Sequence, residues 1–391
     1  MRPAWMCVFL VTLLASTQLA EAGGPMVFAD DGTIIKWGSG ASSIILTLDQ
    51  GGLGALDSVA ADTLVSNVLG VWNGVPESTV NLSIAPVDLG QDIDHTNYAT
   101  VLQSPPVLDD INPVIYDSDG QIIEDLFGAG AGNQVLGYAG PIHTAVNILE
   151  AFVVLNGRML DGIDQGPLNP EYTEMEFEGV IVHEIGHALG LDHAQINALD
   201  GSNTDQPTMF PIYYGGTAIR SLAPDDIGWL SFMYPSAQYA ASFGSISGEV
   251  LWRVGMGNVG YQGINVIARL VGGARIDAHS CVSGYVYSQD IGPAGLKGQY
   301  LIPGVPPGSY TVEVEEILDS FTGASSVGPL ETPIDFPPPA GPEYYDAAES
   351  SYDDPSSTAP VSVAAGSATS GTDIILNTQK RLGASRWPLF E

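Results

Sequence analysis

Between Val180 and His193 the chain reads VIVHEIGHALGLDH, and no other stretch limits its fold so tightly. Residues four apart lie on one helix face, so His183 and His187 project side by side and can ligate one cation. Glu184 is rotated by about 100° from His183, off the ligand pair yet near enough to reach a water on that cation. Gly190 suits the position just past a helix end, where glycine takes the left-handed conformation without steric cost. The chain turns there, and Leu191-Asp192 bring His193 back to the same point. Val180, Ile181, Val182, Ile185 and Leu189 surround the histidines, so the helix is expected to be buried, where unpaired polar groups are costly. Three neutral imidazoles with a fourth position open describe a catalytic zinc site rather than a closed structural one. The fold must therefore bury one helix, break it at a glycine and turn the chain back on itself.

The chemistry that suits these parts is peptide-bond hydrolysis. Zinc lowers the pKa of a bound water to roughly 7 and polarises a carbonyl. Glu184 stands where a general base would take the proton and pass it to a leaving amine. A rival reading is a binding or adhesion protein that keeps the zinc site with little turnover. The stretch HEIGHALGLDH fits HExxHxxGxxH in full and resembles the metzincin metalloproteases, matrixins in particular. The resemblance covers roughly Ile34 to Pro235. It implies an α/β (α+β) zincin-type domain with a twisted mixed sheet, one catalytic zinc on His183, His187 and His193, and a methionine turn below the metal. Met209 (PTMFPIYY) and Met233 (SFMYP) are the candidates for that turn. LAPDDIGWLSFMY resembles the matrixin C-terminal helix, which follows the turn, so Met209 is assigned. Pro211 and Tyr213 then fit a Met-x-Pro-x-Tyr pattern that walls the pocket after the scissile bond. Asp225 and Asp226 head the last helix, where capping is the first reading, and by the same resemblance they tie it to the turn. The chain also departs from matrixins. Apart from the zinc triad only His95, His143 and His279 remain, so no structural zinc is expected. No cysteine lies between the N-terminal leader and the zinc helix, so a cysteine-switch prosegment is absent, and the loop from His193 to Met209 is long.

The chain has 391 residues, enough for two or three domains. Arg2, the apolar run AWMCVFLVTLLA and Ala20-Glu21-Ala22 read as a secretory signal peptide over residues 1–22, too short for a membrane span, so a secreted protein is expected. With 11 Lys+Arg against 45 Asp+Glu, the formal charge of −34 speaks against nucleic acid and anionic membranes as partners and leaves protein or peptide substrates. Excess carboxylates also attract Ca²⁺. Asp117-Ser118-Asp119-Gly120 resembles the start of a calcium loop, with Asp117 and Asp119 as ligands, although such a sequence is also an ordinary turn. Cys7 lies in the leader and Cys281 is expected to be a buried apolar residue, so no disulfide holds the fold.

Interleaved elements support the α/β reading of residues 23–238. Strands are expected at Ser43–Asp49, Thr79–Asp88, Asn112–Asp117 and Asn147–Gly157, with an amphipathic helix from Ala55 to Trp72 whose apolar face includes Val59, Leu64, Val68 and Val71. Thr173 and Glu176 have capping-box spacing ahead of the zinc helix. SAQYAASF (Ser236–Phe243) reads as a linker. From 244 to 378, short strands between Gly/Pro turns point to an all-β sandwich with an acidic, Pro-rich excursion. GSISGEVLW and YLIPGVPPGSYTVEVE resemble transthyretin-like or carboxypeptidase-regulatory-like domains, and residues 379–391 are expected to form a tail.

Overall fold

The computed structural model describes residues 24–29, 32–102, 108–164, 166, 170–198, 205–284, 298–317 and 343–377. The leader at 1–22, the tail at 379–391 and part of the Pro-rich excursion lie outside the described residues. Among the described residues no helix is long and apolar enough to cross a membrane.

The first unit is built on a six-stranded sheet: β1 (Lys36–Trp37), β2 (Ile44–Leu48), β3 (Leu82–Ile84), β4 (Asn112–Asp117), β5 (Gly137–His143) and β6 (Asn147–Asn156). The order β1-β6-β4-β2-β3 is parallel throughout, and β5 alone runs antiparallel, on β6. The central strand β4 is buried along its whole length, as a strand covered on both faces should be. Strand β5 escapes sequence reading because GYAGPIH shows no alternation, and its Pro141 is tolerated as in other edge strands.

Between β2 and β3 runs α1 (Ser58–Asn73), capped by the Asp57 carboxylate, which accepts from Ala60 N at 2.9 Å. Its buried face is Ala61, Leu64, Val65, Val68, Leu69 and Trp72. Val59, counted on the apolar face from its spacing, sits in the first turn and is 72% exposed. A short α2 (Gln121–Phe127) follows β4, and α3 (Glu174–Ala188) follows β6. The capping box of α3 forms: Glu176 N donates to Thr173 Oγ1, and Thr173 N donates to the Glu176 carboxylate. After α4 (Pro224–Met233) the expected linker is pinned rather than free. It forms the one-turn α5 (Tyr239–Ser242), with Ser236 and Ser242 hydrogen-bonded to Pro76 O and Glu77.

The second unit has two five-stranded sheets. One joins β9 (Asn265–Leu270), β10 (Ala278–Val282), β12 (Gly308–Glu315), β13 (Glu343–Tyr344) and β14 (Val361–Val363). The other joins β7 (Gly244–Val254), β8 (Gly257–Gly260), β11 (Gln299–Val305), β15 (Ala368–Ser370) and β16 (Ile374–Leu376). Ile246, Val250 and Ile302 from one sheet and Val266, Val312 and Val314 from the other enter one buried core, which continues without a break into the first unit. Cys281 is buried in β10.

Candidate metal centre

The end of α3 sets the centre. Leu191 N donates to Gly186 O at 2.9 Å and Gly190 N to His187 O at 2.8 Å, a Schellman closure with Gly190 at φ +85°. The carbonyls left open at the helix end find donors: Trp37 Nε1 reaches Ala188 O, Tyr234 Oη reaches Leu189 O and Met26 N reaches Gly190 O. With its end fixed on all sides, the chain reverses and carries His193 back over His187.

The three imidazoles converge. Their Nε2 atoms stand 3.0 Å (His183–His187), 3.1 Å (His187–His193) and 3.3 Å (His183–His193) apart. A tetrahedron with corners 2.0–2.1 Å from zinc has edges of about 3.3–3.4 Å, so the triangle matches one face of it. Nδ1 of His183 lies 2.7 Å from Thr208 O, and Nδ1 of His187 lies 2.9 Å from Leu191 O. Each of those nitrogens donates its proton to a carbonyl, which leaves Nε2 as a lone pair aimed at the common point. Burial lowers the pKa of His183 to about 4 and holds that of His187 well below its ordinary value, so both rings are neutral, the form that binds metal. The donor set fits zinc.

Glu184 is 5% exposed, and desolvation raises its carboxyl to about 8. A cation beside it would draw that value down. A Cβ at Gly137, the first residue of β5, would lie 2.6 Å from a Glu184 carboxylate oxygen. A glycine inside an edge strand was the available signal for this close approach.

Below α3, Met209 is buried, and a Cβ at Gly186 would stand 2.4 Å from its Sδ. Asp226 holds this turn: its carboxylate accepts from Thr208 N (2.9 Å), Met209 N (3.1 Å) and Ala223 N (2.7 Å). Thr208 links the two tiers, since its carbonyl faces His183 while its N–H faces Asp226. Asp226→Ala is therefore expected to lower zinc affinity by about 10–100-fold. Competition with a zinc-binding dye measures this, and unchanged affinity would show that Thr208 holds His183 unaided.

Other expected residues lie elsewhere. Asp225 does not join Asp226 at the turn; its carboxylate accepts from Ser280 N in β10 at 2.6 Å. The Tyr213 hydroxyl donates to Gly216 O, and its ring packs on Tyr172, 5.2 Å between centroids, while Pro211 is half-buried nearby. Among the described residues Asp117 and Asp119 do not gather with a third possible metal ligand. Asp117 accepts from Ile123 N of α2 and Asp119 from Gln121 N, while the Arg158 guanidinium fills the pocket between Glu124, Asn133 and Asp119 O. His95 and His143 are exposed, and His279 is buried.

A twisted, mostly parallel sheet with an antiparallel edge strand beside a three-histidine helix defines an α/β domain of zincin type. Residues 109–235 match the family model Peptidase_M10, Matrixin, so a matrixin domain is present there. A 65-residue stretch is 40% identical to Metalloendoproteinase 5-MMP of Arabidopsis thaliana. That match covers 17% of this chain and 16% of the relative's length.

Proposed function

We propose that the protein is a secreted zinc-dependent endopeptidase that hydrolyses peptide bonds. The observation that carries this reading is the convergence of His183, His187 and His193 with Glu184 beside them. The matrixin match over residues 109–235 supports the class, and the leader-like residues 1–22 support export.

Zinc, when bound, supplies Lewis acidity at the scissile carbonyl and lowers the pKa of water there. His183, His187 and His193 would hold it through Nε2. Glu184 takes the proton from the attacking water and delivers it to the leaving amine. Among the described residues β5 pairs on one edge only, with β6. Its other edge can take an extended peptide as an added strand, which places a backbone amide next to Gly137 and so next to Glu184.

The test combines metal analysis with peptide-library cleavage, products identified by mass spectrometry, on wild type and Glu184→Ala. Stoichiometric zinc with internal cleavage is expected. A zinc-loaded wild type inert towards the whole library would sink the endopeptidase reading and leave a binding protein.

A further inference from the structure

In the second unit, the loop after β13 gathers carboxylates that nothing described so far uses. Asp346, Glu349 and Asp353 each present an oxygen within 4.8 Å of the others. Ligand oxygens on opposite sides of a calcium ion lie at most about 5 Å apart, so the spacing suits that ion. Acidic loops are common, however, and the cluster alone proves nothing.

Glu343 supplies the independent observation. It is 2% exposed, and its Oε1 is buried with no hydrogen-bond partner. Its Oε2 accepts from Asn377 N, while Glu349 Oε2 accepts from Ile375 N. Those two N–H groups, one in β16 and one just past it, lie two residues apart on one edge, which sets the two carboxylates side by side. Asn377 also donates from Nδ2 to Asp353 Oδ1 at 3.1 Å, drawing the third carboxylate to the same place. The charges acting on Glu343 are those of Asp353, Glu349 and Asp346, so its carboxyl lies beside the cluster. Ser351, between Glu349 and Asp353, is likewise buried with an unpartnered hydroxyl. None of the four carboxylates makes an ion pair among the described residues. A buried acceptor without a donor, set among like charges, calls for a cation.

We propose that Glu343, Asp346, Glu349 and Asp353 form a calcium site that ties the loop after β13 to strand β16. All-oxygen ligands of flexible geometry favour Ca²⁺ over Mg²⁺, which demands a tighter octahedron. Binding closes the loop against the sheet and relieves the repulsion.

The test is titration of the zinc-loaded full chain with CaCl₂ by isothermal calorimetry, alongside thermal melts with and without calcium. Wild type is expected to bind Ca²⁺ with Kd on the order of 10⁻⁵–10⁻³ M and to melt higher with calcium. A Glu349→Gln, Asp353→Asn double variant should lose the binding yet melt no lower than wild type without calcium, because it sheds repulsion and keeps acceptor oxygens. Asp119→Asn should bind as wild type does. No heat and no melt shift in wild type would overturn the site, as would undiminished binding by the double variant. The wild-type result stands without any variant folding.

Discussion

Glu184→Ala is expected to keep its zinc and hydrolyse peptides about 10²–10⁴-fold more slowly, whereas His187→Ala should lose the metal. The two variants separate because the side chains, though three residues apart on one helix, do different work. His187 is 6% exposed and stands within 3.0 and 3.1 Å of the other two ligand nitrogens, so its removal opens one side of the triangle. Glu184 ligates nothing and lies against Gly137. Its carboxyl is buried at the cost of desolvation, so alanine in its place should leave folding intact. Zinc content by mass spectrometry and kcat on one cleaved peptide decide the matter. If Glu184→Ala stays within tenfold of wild type with full zinc, another group is the base.

The metal triad was legible because it is local. His183 to Gly190 is one helix and one terminating turn, governed by a 3.6-residue period and a glycine, and its ligands need no distant strand to meet. Thr173 and Glu176 were legible for the same reason. Legibility fades with sequence separation. Asp225 and Asp226 read alike in APDDI, but one helical step of about 100° sends Asp226 to Met209 and Asp225 to Ser280, 55 positions on. Strand β5 is held by pairing to β6, not by its own pattern, and so was missed. DSDG resembles a calcium loop in sequence, but which groups its carboxylates and carbonyls meet depends on α2 and on Arg158, 39 positions from Asp119. The stretch from Glu343 to Asp353 read as a polar excursion because its acids meet only when β16 arrives to align them.

A chain ending at Phe243, cut where composition marks a boundary, is expected to fail as a zinc-binding domain. The loop directly after His193 is built into the second unit. Gln195 Nε2 donates to Glu315 Oε1 and Glu316 O, both at 2.8 Å, and Gln195 O accepts from Asn265 Nδ2. Ile196 is buried against Ile267 and Ala278. Asn197 Oδ1 accepts from Arg269 at 2.7 Å, with its backbone at φ +59°. On α4, Trp229 Nε1 donates to Ser280 O at 2.9 Å, and Asp225 meets the same residue. Truncation strands these buried polar groups at about 1–3 kcal/mol each and exposes Ile196 at about 1.5–3 kcal/mol, against a typical domain stability of about 5–15 kcal/mol. It also frees the segment that aims His193. A milder version keeps the whole chain: Gln195→Ala with Asn265→Ala should hold the fold but weaken zinc binding by about 10–100-fold, since the third ligand loses its support. Zinc affinity by competition and the cooperativity of the thermal transition measure both effects. A truncated chain that melts cooperatively and binds zinc as tightly as the full protein would show instead that the first unit aims His193 alone, through Gly190 and the arm at Gly24–Met26.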